Sequence, residues 1–161
     1  MDPMNESAHR ILVLAIGNPL MGDDALGLRL LERLSGSPWT LEHAYQLQIE
    51  HAADWAAYSV VVVVDAAMGQ QVPALFSPVA EVEVDAREGL SSHRLEPPVV
   101  LALHRAYFEG TAKVFVLSMA AEGFELGAPL SSIGELALVA GEALLMQELA
   151  RLTEVHAPRE H

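Results

Sequence analysis

Three runs along the chain are apolar at nearly every position instead of every second one: ILVLAI (11–16), VVVVV (60–64) and VFVLS (114–118). Continuous Val, Ile and Leu of that length suit strands covered on both faces, as in a parallel sheet. Helical patterns fall between them. Leu26, Leu30, Leu31 and Leu34 share one face, with Arg29, Glu32 and Arg33 on the other. A second helix is predicted over 50–58. A third follows LEPP, where proline is tolerated in a first turn, and runs through Val100, Leu103 and Tyr107. The last begins near SSIGE, where Ser132 and Glu135 have capping-box spacing, and continues to about Leu152. Residues 39–45 and 79–84 alternate and predict two more exposed strands. Strands alternating with helices indicate an α/β fold: three layers, α/β/α, around a central twisted, mostly parallel sheet.

Composition narrows the class. The 161 residues are 52% hydrophobic and 19% charged, which predicts one folded domain with its core over about 9–153 and frayed ends at 1–8 and 157–161. Nine basic residues against 22 acidic ones give a net charge of −13, spread along the chain. That balance argues against a nucleic-acid partner, which needs clustered Lys and Arg. There is no cysteine, so disulfides, thiolate nucleophiles and Cys-ligated zinc are excluded. The opening MDPMNESAHR lacks a signal-peptide layout, and the longest apolar stretch, SVVVVVDAAM, is too short to span a bilayer. The expectation is a soluble, cytoplasmic monomer without a membrane span.

In open α/β sheets ligands gather beyond the carboxyl ends of the strands. After the first apolar run come Gly17, Asn18 and then the pair Asp23–Asp24; Asp65 closes the second; His93 lies in GLSSHRLEPP, entering the third helix. GNPLMGDDALG contains no GxGxxG, no GxxxxGK[ST] and no Lys, so a phosphate cradle is disfavoured. One Asp of the pair, Asp23, is expected to cap the following helix, leaving Asp24 for other work. Asp65 can equally accept backbone hydrogen bonds at a strand end, and His93 alone reads as a loop histidine. His43 and His51 have no carboxylate company, while His104 can face core or cleft. Ser91 and Ser92 beside His93 make a poor nucleophile–base pair, and there is no GxSxG or HExxH. Together Asp24, Asp65 and His93 form an O/O/N set suited to a borderline divalent ion such as nickel, zinc or iron.

GNPLMGDDALG, VVVVVDAA and SSHRL, in that order and spacing, resemble the hydrogenase maturation endopeptidases, which trim the C-terminus of nickel–iron hydrogenase large subunits. The resemblance covers nearly the whole chain, including LGAPLSSIGELALVAGEALL, and QLQIEHAADWA is similar to members serving soluble hydrogenases. It implies a helix-flanked twisted sheet and a cleft in which Asp24, Asp65 and His93 contact nickel carried by the substrate, not held as the enzyme's own cofactor. The partner it implies is the precursor of the large subunit. Gly17 and Asn18 match the family's turn. Ala25 replaces a residue that is often Gly in the family. Two other readings stand beside this one: a nickel-sensing or chaperone-like protein that binds the same precursor without cutting it, and a metal-dependent peptidase of short peptides.

Overall fold

The computed structural model describes residues 10–83 and 95–156. His93, Ser91 and Ser92, the last residue of the predicted strand 79–84, and the terminal stretches with His9 and His161 lie outside them. Five strands form one sheet: β1 (Ile11–Ile16), β2 (Thr40–Ala44), β3 (Val60–Met68), β4 (Ala74–Pro78) and β5 (Lys113–Ala121), in the order β2-β1-β3-β5-β4. All pairings are parallel except β4 with β5. The helices are α1 (Leu26–Arg33), α2 (Ile49–Asp54), α3 (Pro97–Phe108) and α4 (Ser132–His156).

Alternate residues of each central strand feed opposite faces, as the pleat requires. Ile11, Val13, Ala15, Val60, Val62 and Val64 pack with Leu26 and Leu30 of α1 and Leu145 and Leu149 of α4. Leu12, Leu14, Val61 and Val63 pack with Ala52 and Trp55 and with Val100 and Leu103 of α3. The runs are continuously apolar because both faces are covered, so the three-layer α/β/α arrangement is as expected. Among the described residues no helix is long and apolar enough to cross a membrane.

Three local expectations are corrected. The fourth strand is Ala74–Pro78, not 79–84; it runs antiparallel along the outer edge of β5, from Ala74 beside Met119 to Pro78 beside Phe115. An edge strand tolerates its proline, whereas among the described residues the Val/Glu alternation after it joins no strand beyond the Val79 N–H to Val114 carbonyl bond. The helix predicted over 50–58 is α helical only to Asp54 and finishes as a 3₁₀ turn, Trp55–Ala57. The last helix is capped by Ser131 instead of Ser132: its hydroxyl accepts the Gly134 N–H at 2.9 Å.

Candidate functional site

The sheet places two of the three predicted residues at its carboxyl edge. Asp65 does not end its strand. β1 pairs with β3 only as far as Ala15 opposite Val64, while β3 continues beside β5 from Asp65 opposite Ser118 to Met68 opposite Ala121. Asp65 therefore occupies a notch, half-buried, at the first position of β3 with no register partner on β1. Such a step, where neighbouring strands stop at different heights, leaves room for a ligand in an open α/β sheet. One of its oxygens, Oδ1, accepts the Ala66 N–H at 2.9 Å. The small cavity it lines, about 20 Å³, is shared with Ile16, Gln46, Leu47 and, where the described chain resumes, Leu95 and Glu96.

Asp24 reaches the same edge on a 3₁₀ turn, Gly22–Ala25, that touches β3. Gly27 lets the start of α1 lie directly on the sheet: a Cβ there would come within 3.0 Å of the Ala15 Cβ and 3.4 Å of the Val64 carbonyl. The Asp24 carboxylate is half-buried and accepts the Asn18 N–H at 2.8 Å through Oδ2. Gly17, at φ +142°, makes this possible, because a side chain there would overlap the Asp24 backbone carbonyl. Buried Ala25, where the family often has Gly, fits without strain at the turn's last residue.

Asp23 does not cap α1, whose N-terminus receives no side-chain hydrogen bond. It is fully buried and accepts the Glu122 N–H (2.8 Å), the Ser131 N–H (2.8 Å) and the Ser131 hydroxyl (2.6 Å), with a longer contact from the Gly123 N–H (3.4 Å). One carboxylate thus ties the loop after β1 to the loop after β5 and to the start of α4. Burial raises the carboxyl's pKa, yet the bonds from Glu122, Ser131 and Gly123 outweigh it and hold the group below its ordinary value of 3.8. Gly134 packs against this carboxylate so closely that a Cβ would overlap it.

Sequence reasoning passed over His43. It lies near the end of β2, with its Nε2 2.8 Å from the Gly17 carbonyl, and so braces the turn that holds Asp24. A carbonyl only accepts, so Nε2 carries the proton. The contact bridges 26 residues, and the only local hint is that His43 falls at the carboxyl end of a predicted strand. His104 resolves to the core: Nδ1 bonds the Ala52 carbonyl at 2.9 Å and Nε2 accepts the Ala112 N–H at 3.3 Å. His51 serves as a cap, accepting the Gln48 N–H at 2.8 Å. A wider cleft, about 590 Å³, lies elsewhere, between Glu81–Glu83 and Arg105 of α3, and contains none of these residues. Among the described residues no three His, Asp or Glu side chains are grouped as a metal site.

By sequence the chain matches no protein-family model and no curated protein. By structure it is similar to the hydrogenase maturating endopeptidase HybD from E. coli, at TM-score 0.65 and 20% identity over 88% of this chain and 93% of that one. It is also similar to the NiFe hydrogenase maturation protease HycI from Thermococcus kodakarensis KOD1, at TM-score 0.63 and 21% identity over 93% of this chain and 99% of that one. An endopeptidase from Escherichia coli gives TM-score 0.67 and 22% identity over 88% and 93%. The fold is that of the hydrogenase maturation endopeptidases. Nearly the whole length of each of these relatives is matched.

Proposed function

We propose that this protein is an endopeptidase that removes the C-terminal extension of a nickel–iron hydrogenase large-subunit precursor after nickel insertion. The observation that carries the reading is the pair Asp24 and Asp65, set on adjoining segments at the carboxyl edge of a sheet whose fold is that of such endopeptidases. His93 is the third member of the proposed set, and the described chain resumes two residues later, at Leu95, beside Asp65. In this reading the nickel belongs to the substrate. The two carboxylates and the imidazole complete its coordination and so test whether it has been loaded.

Binding the metal positions the neighbouring peptide bond. Water then attacks that carbonyl carbon, the C–N bond breaks, and the proton lost by water leaves with the new amine. Mixing the protein with a nickel-loaded and a nickel-free precursor and measuring intact mass tests the proposal. Loss of a C-terminal peptide from the loaded form alone is expected. An unchanged mass despite complex formation would make this a non-cleaving, nickel-sensing partner of the precursor, and cleavage of short peptides alone would make it a general peptidase. Asp24→Ala, Asp65→Ala and His93→Ala should each abolish processing and keep the fold; normal processing by all three overturns the site assignment.

A further inference from the structure

Two leucines, one on the loop after β1 that carries Asp24 and one on the loop after β5, face water with no local need to do so. Leu126 is 76% exposed and Leu20 63% exposed, with Phe124 at the margin of exposure beside them. Exposed leucines are ordinary when scattered, but these two lie on adjoining loops whose backbones are firmly held. Met21 pairs with Leu126 in an isolated antiparallel bridge, and the Gly127 N–H donates to the Leu20 carbonyl at 2.8 Å. The Leu20 N–H donates to the Asn18 side chain at 3.0 Å, and the Asp23 N–H to the Gly123 carbonyl at 3.0 Å. The buried Asp23 carboxylate fastens the same two loops from beneath. Backbone bonds hold this crest in place, so its backbone needs no ordering when a partner binds. A preordered surface loses less freedom when a partner binds, which favours association there.

We infer that the Leu20–Leu126 crest is the anchor on which the folded precursor docks, through an apolar patch flanked by Lys or Arg. The inference rests on the proposed function and adds the surface that would hold the substrate. Charge selects the occupant. Glu122 and Glu125 are exposed beside the crest and belong to none of the ion pairs among the described residues. The chain as a whole carries −13. A second copy would set these glutamates against their equals, whereas a basic-flanked surface is attracted to them. Leu20 is tied to the cleft through Asn18, whose side chain accepts the Leu20 N–H while its own N–H donates to Asp24. A substrate seated on it brings its chain to the carboxylates.

The test uses Leu20→Ser and Leu126→Ser, which alter exposed side chains and leave every backbone bond of the crest in place. Processing of the nickel-loaded large-subunit precursor is followed by intact mass at varied precursor concentration, with direct binding measured in parallel. KM and Kd at least tenfold higher, with kcat within about twofold, are expected. KM and Kd within twofold of the parent overturn the anchor, while cleavage by the parent keeps the endopeptidase reading intact. Crest-dependent binding with no cleavage by the parent keeps the anchor and removes that reading. Absence of any binding by the parent removes both. A dimer in sedimentation that dissociates in Leu126→Ser assigns the crest to a second copy and overturns the proposal.

Discussion

Replacing Asp23 by Asn measures how much the site's frame depends on one buried charge. Asparagine keeps the shape but offers one acceptor oxygen and one amide nitrogen. Its better orientation keeps the oxygen at the Oδ2 position, where the Glu122 N–H and the Ser131 hydroxyl arrive at 2.8 and 2.6 Å. The amide nitrogen then faces the Ser131 N–H, which in the parent donates to Oδ1 at 2.8 Å. That donor is buried opposite another donor, a loss of about 1–3 kcal/mol, and two charge-assisted bonds become neutral ones at a cost of about 1 kcal/mol each. The expected destabilisation is about 3–5 kcal/mol, a large share of the ~5–15 kcal/mol that holds a domain folded. For a chain of this size the corresponding drop in Tm is on the order of 10 °C. Urea unfolding at pH 7 reads the difference. Its pH dependence supplies a second check, because the folded pKa lies below 3.8. The parent's extra stability is present above that value and fades as pH falls through the lower folded pKa, so the gap between parent and variant should shrink on acidification. A loss under about 1 kcal/mol at pH 7, or a gap that widens in acid, refutes the account.

Two further outcomes follow from the histidines. His43→Leu removes the donor to the Gly17 carbonyl and should lower kcat for processing at least tenfold with Tm little changed; His43→Gln, which restores an N–H donor, should recover most of it, and equal rates in both variants refute the bracing role. His104 is held below its ordinary value of 6.5, chiefly by burial and also by the Arg105 charge, against the opposing bond to the Ala52 carbonyl. The unfolded chain therefore takes up a proton first, and stability contributed by neutral His104 is complete above about pH 6.5 and lost below it. His104→Gln should flatten the fall in unfolding free energy between pH 7 and 5, and an unchanged slope there contradicts this.

What the sequence revealed depended on how far each contact reaches along the chain. The buried strands were legible because Ile11–Ile16 and Val60–Val64 must satisfy two cores at once, and short, β-branched apolar runs without alternation suit a strand covered on both faces. Leu26, Leu30 and Leu31 announced α1 by spacing alone. β4 was missed because its evidence is the outer edge of β5, some 40 residues away, while its own residues include a proline and alternate no better than those after it. Asp23 was expected to cap a helix, and its actual task was not foreseen. Its partners lie 99 to 108 residues later, and no local pattern separates a helix cap from a carboxylate that gathers distant N–H groups. His43 was passed over for the same reason, since its partner is a backbone carbonyl rather than a carboxylate.

The two candidate carboxylates are held by different means, and the difference bears on how they would act. Asp24 is fixed from both sides: Asn18 bonds its oxygen, Gly17 makes way for it, His43 braces Gly17, and the neighbouring Asp23 locks the turn to β5 and α4. Asp65 owes its position to the sheet itself, where β3 outruns β1. A carboxylate on a strand and one on a locked turn keep their separation without a metal to hold them apart. In the proposed reading the metal arrives with the substrate, and a site of that kind gains from ligands that are already set in place. The long-range bonds of Asp23 thereby do for the proposed cleft what a bound ion does for an ordinary metalloenzyme, and their loss should be felt in processing before the fold itself gives way.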